Sequence, residues 1–193
     1  FRRVLFRSSL IGEFNVRNCA MAISAAHFYG VSLDVIARAI ASFEGVKRRQ
    51  EVRGEKNGVT VVDDFGHHPT AIRETLRGLR HRFPGRRLWA LFEPRSNTTR
   101  RAVFQHDLPA ALGEADGVFL SQVARSDQLE ASSRIDPERV VADLRALGRE
   151  AFYEGGVEEI VARLKPLVRS GDVIVVLSNG GFGGIHERLL QEL

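Results

Sequence analysis

Residues 63–70 gather two carboxylates, two imidazoles and a hydroxyl into the string Asp-Asp-Phe-Gly-His-His-Pro-Thr. Three kinds of chemistry fit this composition. Carboxylates and imidazoles together bind divalent metal ions, whereas a carboxylate that follows a strand can accept hydrogen bonds from the hydroxyls of a ribose. The third interpretation is structural, because Pro69 suits the first turn of a helix and His68 would then cap it. The residue types alone leave all three interpretations open.

A second polar segment, residues 93–100, combines two arginines with hydroxyl and amide side chains. The planar guanidinium groups of Arg95 and Arg100 match the geometry of carboxylate or phosphate oxygens. An ordinary solvent-exposed loop is the alternative. The composition of the segment does not choose between an anion site and a surface loop.

A third segment, residues 178–184, is rich in glycine and leads into a predicted helix near Ile185. Backbone N–H groups at a helix N-terminus bind anions, and glycine lets a ligand approach the backbone closely. The segment matches neither the G-x-x-x-x-G-K-[ST] loop nor the G-x-G-x-x-G pattern of nucleotide-binding folds. His186, just inside the helix, is predicted to be a surface or capping residue.

Asn15 and Asn18 lie three residues apart, so they share one face of a predicted helix that starts at Glu13. Amides at this place either cap the helix or contact the edge of a base, and the spacing leaves both open. The single cysteine, Cys19, cannot form an internal disulfide and is predicted to be buried.

Short apolar runs predict the element that positions these side chains. Four runs are continuously apolar, as in strands covered on both faces, so the predicted fold class is α/β, with a mainly parallel, Rossmann-like sheet and helices on both faces. The runs are residues 59–62, 88–92, 118–120 and 173–177, with a predicted helix over 157–168. Asn57-Gly58 predicts a hairpin that adds an antiparallel strand at 51–54. Ligands bind beyond the carboxyl ends of such strands, so the three polar segments are expected to converge on one crevice.

Composition and pattern divide the chain into three regions. Residues 1–9 lack a signal-peptide pattern, and we expect a non-native junction there. Residues 10–45 predict two helices, the second capped by Ser32, that cannot close a core alone and indicate the tail of a domain. Residues 46–193 predict one α/β domain. The net charge of +4 is spread among acidic residues, so the sequence does not favour a nucleic-acid-binding protein, and no apolar run is long enough to span a membrane.

The order of these motifs resembles the Mur ligase family. The resemblance is carried by Gly12-x-x-Asn15-x-x-Asn18, by Phe43-x-Gly45 ahead of Arg48-Arg49, and by the string 63–70, which is similar to the branch that acts on UDP-N-acetylmuramate. Residues 93–98 and 178–186 are similar to the member of that branch that uses a murein tripeptide.

The resemblance implies an ATP-dependent, ADP-forming amide ligase that joins UDP-N-acetylmuramate to L-Ala-γ-D-Glu-meso-diaminopimelate through an acyl phosphate. It implies that 46–193 is the C-terminal domain of this family and that 10–45 is the helical tail of the central ATP-binding domain. The ligands of Mg²⁺ are expected in that central domain, so no metal ligand is assigned here. A bacterial cytoplasmic enzyme, monomeric when intact and without nucleic-acid or membrane partners, is expected.

Matching positions give the implied site residues. The resemblance places His67 and His68 at the reacting groups. It assigns the nucleotide to Asn15, Asn18, Arg49 and Asp64, and the substrates to Thr70, Arg95, Ser178, Asn179 and Phe182.

Two other hypotheses stay open beside the resemblance. One is a metal-dependent phosphoesterase that uses Asp63, Asp64, His67 and His68, and the other is a non-catalytic nucleotide-binding module. Because no G-x-x-x-x-G-K-[ST] loop occurs in the sequence, we expect the 193 residues alone to lack ligase activity.

Overall fold

A computed structural model describes residues 6–124, 130 and 133–193. The predicted junction at 1–9 therefore lies partly outside the described residues. The chain divides into two compact units, Phe1–Lys47 and Arg48–Leu193.

The first unit contains two helices, α1 (Glu13–Phe28) and α2 (Leu33–Ser42). Ser32 occupies the N-cap position of α2, as the sequence predicts, but its side chain makes no capping hydrogen bond. No residue of α1 is buried, and Cys19 is only half-buried, so the prediction of a buried cysteine is wrong. The physical reason is that α1 has few apolar neighbours within its own unit.

The second unit is built on a six-stranded sheet with the order β1-β2-β6-β3-β4-β5. Its strands are β1 (Glu51–Lys56), β2 (Val59–Asp64), β3 (Leu88–Phe92), β4 (Gly117–Ser121), β5 (Glu150–Glu154) and β6 (Val173–Leu177). Only β1 is antiparallel to its neighbour, across the hairpin predicted at Asn57-Gly58, and the other pairs are parallel. The α/β fold class with helices on both faces is confirmed.

Helices cover both faces of this sheet. The helices of the second unit are α3 (Pro69–Arg82), α4 (Asp107–Leu112), α5 (Pro137–Ala146), α6 (Val157–Leu164) and α7 (Ile185–Glu192). Alternation along β3 shows the two layers: Leu88, Ala90 and Phe92 pack in the core under α3, α4 and α5, while Trp89 and Leu91 pack in the core under α6 and α7. Within the described residues, no helix is both long enough and apolar enough for a membrane span.

Two details differ from the sequence prediction. Strand β5 was not predicted, because its edge position leaves the run Glu-Ala-Phe-Tyr-Glu mostly half-exposed and without a continuous apolar signal. Strand β2 extends past residue 62 through Asp64, so Asp63 and Asp64 are strand residues rather than loop residues. Because both aspartates belong to the strand, their carboxylates point to opposite faces of the sheet.

Candidate functional site

The three predicted polar segments follow strands that are direct neighbours. Strand β6 lies between β2 and β3, all three run parallel, and their carboxyl ends therefore meet at the same edge of the sheet. The backbone continues this pairing, since Ser178 N–H donates to the carbonyl oxygen of Asp64 (3.2 Å) and Glu93 N–H donates to that of Leu177 (3.1 Å). The three segments therefore meet at one edge of the sheet, as predicted.

The carboxylate of Asp64 is engaged by the protein itself. Successive side chains of a strand point to opposite faces, and Asp64 points with Val62 toward the α3 layer. The N–H of Gln50 donates to its Oδ2 (2.9 Å) and the N–H of Gly66 to its Oδ1 (2.7 Å). Burial raises the pKa of Asp64 and outweighs these hydrogen bonds and the nearby charge of Arg49. Asp64 is 3% exposed, and its hydrogen bond from Gly66 positions the turn there. Its contact with a nucleotide stays a prediction.

Asp63 faces the α7 layer and lies beside a histidine and two arginines. Its Oδ1 is 3.3 Å from His186 Nε2, and its Oδ2 is 3.4 Å from Arg48 Nε and 3.9 Å from Arg53 Nη1. Burial by itself would raise the pKa of Asp63, but the adjacent imidazole of His186 and the two guanidinium charges outweigh it and lower the pKa. The prediction of a surface or capping His186 is wrong, because this face of α7 packs on the sheet and the imidazole is buried against Asp63.

This divergence of the two aspartates removes the phosphoesterase hypothesis. A metal site built on Asp63, Asp64, His67 and His68 needs both carboxylates on one side of the strand, and they lie on opposite sides. Among the residues that the structure describes, no three His, Cys, Asp or Glu side chains group in a way that could hold a metal ion.

The two histidines lie at the start of α3 and present different nitrogens. His68 Nδ1 accepts a hydrogen bond from Thr70 N–H (3.3 Å), which confirms the predicted cap, so the neutral ring carries its hydrogen on Nε2. His67 Nδ1 lies 3.0 Å from the carbonyl oxygen of Phe65, which can only accept, so Nδ1 carries a hydrogen and, in the neutral ring, Nε2 keeps its lone pair. The pair therefore offers one hydrogen-bond acceptor and one donor at the rim of the site.

Arg49 is exposed next to this rim. Its guanidinium carbon lies 5.3 Å from the ring centroid of Phe65, and that of Arg48 lies 5.2 Å from the same centroid. Stacking on an aromatic face orients a guanidinium group while leaving its N–H groups available. The guanidinium group of Arg49 is therefore oriented and exposed at the end of β2.

The third segment is held against the second by hydrogen bonds. Ser178 Oγ–H donates to Glu93 Oε2 (2.5 Å), and Gly180 N–H donates to Ser178 Oγ (2.9 Å). The side chain of Arg95 crosses over Gly180, where a Cβ atom would lie 2.4 Å from Arg95 Cδ. Asn179 Oδ1 is buried and has no hydrogen-bond donor among the described residues. Arg95, Ser178 and Asn179 are thus brought together as predicted.

Arg100 is not an open anion ligand. Its guanidinium group is mostly buried and donates to Asn97 Oδ1 (2.7 Å), so it stabilises the loop in which Arg95 stands. Of the two arginines in this segment, Arg95 is the exposed one.

A cavity of about 370 Å³ opens at the carboxyl ends of β3 to β6. Phe182 lines it although the residue is only 3% exposed and packs in the apolar core under α7. The part of the wall that follows β4 and β5 is not predicted by the sequence. The missed lining residues include Gln122, Val123, Gly155 and Gly156. The paired glycines were the available signal, but without a predicted β5 they had no strand to follow.

Residues 48–180 match the family described as Mur ligase, glutamate ligase domain. This range covers more than half of the chain and contains the string 63–70, Arg95 and the beginning of the glycine-rich segment. The chain belongs to the Mur ligase family.

Individual Mur ligases are similar over nearly the whole chain. The Escherichia coli (strain K12) UDP-N-acetylmuramate–L-alanyl-γ-D-glutamyl-meso-2,6-diaminoheptandioate ligase is 45% identical over 186 residues, which are 96% of this chain and 38% of that protein. The Roseiflexus sp. (strain RS-1) UDP-N-acetylmuramate–L-alanine ligase is 36% identical over 186 residues, 95% of this chain and 38% of that protein. A crystal structure of a murein peptide ligase from Psychrobacter arcticus 273-4 is 36% identical with a TM-score of 0.73, and the match covers 97% of this chain and 38% of that one. The Mur ligase chain described here therefore spans well under half the length of these relatives.

Proposed function

We propose that the chain is the C-terminal part of an ATP-dependent, ADP-forming amide ligase that joins UDP-N-acetylmuramate to L-Ala-γ-D-Glu-meso-diaminopimelate. In this proposal residues 46–193 are the C-terminal domain and residues 10–45 are the helical tail of the central, ATP-binding domain. The observation that carries it is the meeting of the three polar segments at one sheet edge. The higher identity to the tripeptide ligase than to an alanine ligase, 45% against 36%, supports the choice of substrate.

The nucleotide is assigned to Arg49 and Asp64 in the second unit and to Asn15 and Asn18 in the first. Arg49 is exposed and oriented by Phe65, so it supplies charge-assisted hydrogen bonds to phosphate oxygens. Asp64 contributes through the turn that its carboxylate holds. Asn15 Nδ2 donates to the carbonyl oxygen of Ile11 (2.8 Å), and Asn18 Nδ2 donates to Asn15 Oδ1 (3.5 Å). Contact with the edge of adenine therefore requires these amides to exchange their present hydrogen bonds for the base.

His67 and His68 are assigned to the reacting groups. In the proposed reaction ATP converts the muramate carboxylate into an acyl phosphate, and the amine of the peptide attacks that acyl carbon and releases phosphate. His67 Nε2 can accept the proton that the ammonium group of the peptide loses before the neutral amine attacks, and His68 Nε2–H can donate to a phosphoryl oxygen. Holding both reactants at one rim lowers the entropic barrier to amide formation.

The peptide is assigned to the edge formed by β3 and β6. Arg95 supplies a guanidinium group for a carboxylate, and Ser178 and Asn179 supply polar groups. Thr70, in the first turn of α3 beside His68, is assigned to the substrate near the reacting groups. Phe182 forms an apolar wall of the adjoining cavity, which has the volume of a short peptide fragment. A tripeptide with several carboxylates matches this combination better than free L-alanine does.

Magnesium is proposed to act from outside the described residues. The reaction class needs a divalent ion to offset the charge of the ATP phosphates. Because the described residues hold no suitable group of ligands, no step of the proposed mechanism assigns the ion to a residue of this chain.

A titration of the ¹⁵N-labelled chain with the tripeptide tests the proposal. We expect amide shifts at Glu93, Arg95 and Ser96 and in residues 178–183. The dissociation constant should rise by about tenfold in Arg95→Ala because a charge-assisted hydrogen bond is lost. The same concentration of L-alanine is expected to leave these amides unchanged.

Arg188→Ala is the matched control, because the Arg188 side chain has a similar exposure but pairs with Glu158 and Glu192 on α6 and α7. Its tripeptide affinity should equal that of the unaltered chain. Shifts with L-alanine but not with the tripeptide would contradict the substrate assignment, and equal losses in both arginine variants would contradict the role of Arg95.

A further inference from the structure

Arg48 makes a pair of contacts that the sequence motif does not reveal. Its Nη2 donates to the carbonyl oxygen of Ser178 and to that of Gly180, each at 2.7 Å. These two carbonyls belong to the residues on either side of Asn179. One guanidinium group on the β1 side of the sheet therefore holds the loop that follows β6.

The guanidinium group is itself held from the opposite side. Asp63 Oδ2 lies 3.4 Å from Arg48 Nε, and the ring of Phe65 lies against the same group. The Arg48 backbone is fixed at both ends, since its N–H donates to Glu51 Oε2 (2.8 Å) and its carbonyl oxygen accepts from Phe65 N–H (2.8 Å).

The backbone of Arg48 also adopts an unusual conformation. Its φ is +60°, in the left-handed region that favours glycine. Side-chain-bearing residues keep such a conformation only where the surroundings enforce it, and these positions cluster at functional sites. At Arg48 the conformation aims the side chain at the loop after β6.

We propose that Arg48 is a positioning residue that fixes residues 178–180, and through them the peptide-binding arrangement of Ser178, Asn179 and Arg95. The effect on peptide binding rests on the proposed function, whereas the effect on the loop does not. Two charge-assisted hydrogen bonds restrain a segment whose glycines otherwise leave it many conformations. Arg95 lies over Gly180, so a displaced Gly180 also displaces the guanidinium group that meets the peptide.

A purely structural role for Arg48, as one counter-charge of Asp63, is the competing explanation. Arg53 allows the two explanations to be distinguished, because it also lies near Asp63 (3.9 Å) and its side chain is similarly half-exposed. Its other contact is with Glu187 on α7 rather than with the loop after β6. Arg48→Gln and Arg53→Gln thus remove the same charge from the surroundings of Asp63, and only the first releases the loop.

Hydrogen exchange of the 193-residue chain, followed by mass spectrometry, tests the proposal without any ligand. In Arg48→Gln we expect the amides of residues 180–183 to exchange about tenfold faster than in Arg53→Gln, which corresponds to the net contribution of one or two hydrogen bonds. Tripeptide affinity, measured by titration calorimetry, is expected to fall by about tenfold in Arg48→Gln and to stay unchanged in Arg53→Gln.

Arg48→Lys is the second variant, chosen because it keeps the charge beside Asp63 and protects the fold. Its single ammonium group replaces the fork that spans two carbonyls and Asp63, so we expect loop exchange about threefold faster than in the unaltered chain. Equal loop exchange in the two glutamine variants, or unaltered exchange in Arg48→Lys, would overturn the proposal. If the unaltered chain does not bind the tripeptide, the proposed function fails, while the exchange comparison still decides the role of Arg48.

Discussion

Asp63 and Asp64 are chemically identical neighbours, yet the fold shifts their pKa values in opposite directions. The alternation of a β-strand sends Asp64 into a layer where backbone N–H groups are its main partners and burial dominates. Asp63 enters the other layer, where His186, Arg48 and Arg53 outweigh burial. One carboxylate therefore organises a turn, and the other anchors the arginine that holds the loop after β6.

Asp63→Asn should destabilise the fold in a pH-dependent way. A carboxyl group with a lowered pKa stabilises the folded chain above its ordinary value, 3.8, and loses that contribution as the pH falls through the folded value. At pH 7 we expect the free energy of unfolding in urea to fall by about 2 kcal/mol, since a buried charge cluster loses its anion. The deficit should shrink as the pH falls below about 4.

Glu187→Gln is the control for this measurement. Glu187 pairs with the same Arg53 but is well exposed, so the loss of its charge is expected to change stability by less than about 0.5 kcal/mol. A deficit in Asp63→Asn that is as large at pH 3 as at pH 7 would show that the charge of Asp63 is not what stabilises the fold.

At the scale of elements, the packing of β3 against β4 depends on one close contact between a tryptophan and a glycine. Trp89 on β3 is paired in register with Gly117 on β4, and the indole covers the glycine so closely that a Cβ atom there would lie 2.2 Å from its ring. The indole N–H donates to Asp172 Oδ2 (3.2 Å) at the amino end of β6. The large ring and the missing side chain together let the two strands share the core under α6 and α7.

Gly117→Ala should therefore destabilise the second unit. The added methyl group forces a fully buried ring to move, and overpacking of this kind costs about 2 kcal/mol. Chemical unfolding followed by the fluorescence of Trp89, the single tryptophan of the chain, measures the loss.

Gly181→Ala is the matched glycine control, because an added Cβ atom there meets no neighbour within 4 Å and the backbone is right-handed. Its stability should be unchanged. Equal stability of the two alanine variants would mean that the β3–β4 contact tolerates the added volume.

At the scale of the whole molecule, the two units differ in how much they bury. The sheet unit has a core on each face, whereas α1 buries no residue and α2 buries only Ile36. Large apolar side chains stay open in the first unit, with Phe28 and Tyr29 each 84% exposed. Helices gain most of their stability from packing, so α1 and α2 are expected to open easily.

Hydrogen exchange should show this difference. We expect the amides of α1 and α2 to exchange at least about a hundredfold faster than those of β3 and β6, because local opening exposes little additional apolar surface. Helix α5 is the internal control, since it has the same length as α2 but buries Val140, Val141 and Leu144. Slow exchange across residues 20–41, or exchange in α5 as fast as in α2, would contradict this expectation.

Much of the fold was predictable because its signals are local. Continuous apolar runs mark β3 and β6 at their observed bounds, and Asn57-Gly58 marks the hairpin. The half-exposed edge strand β5 carries no such signal. Because β5 is not predicted, the cavity wall at Gly155-Gly156 that follows it is not predicted either. His186 and Cys19 were misjudged because burial depends on which element packs against a helix face, and the sequence of the helix does not specify that.

The sequence by itself determined the residue types of the site and the strands that carry them, because composition and periodicity act over a few neighbouring positions. Only the tertiary structure decided that β6 lies between β2 and β3, since strand order depends on how distant segments pack. That order brings Arg48 to the carbonyls of Ser178 and Gly180, 130 and 132 residues away. The length of β2 was likewise decided by the tertiary structure. Because β2 includes both aspartates, the alternation of the strand sends Asp63 and Asp64 into opposite layers.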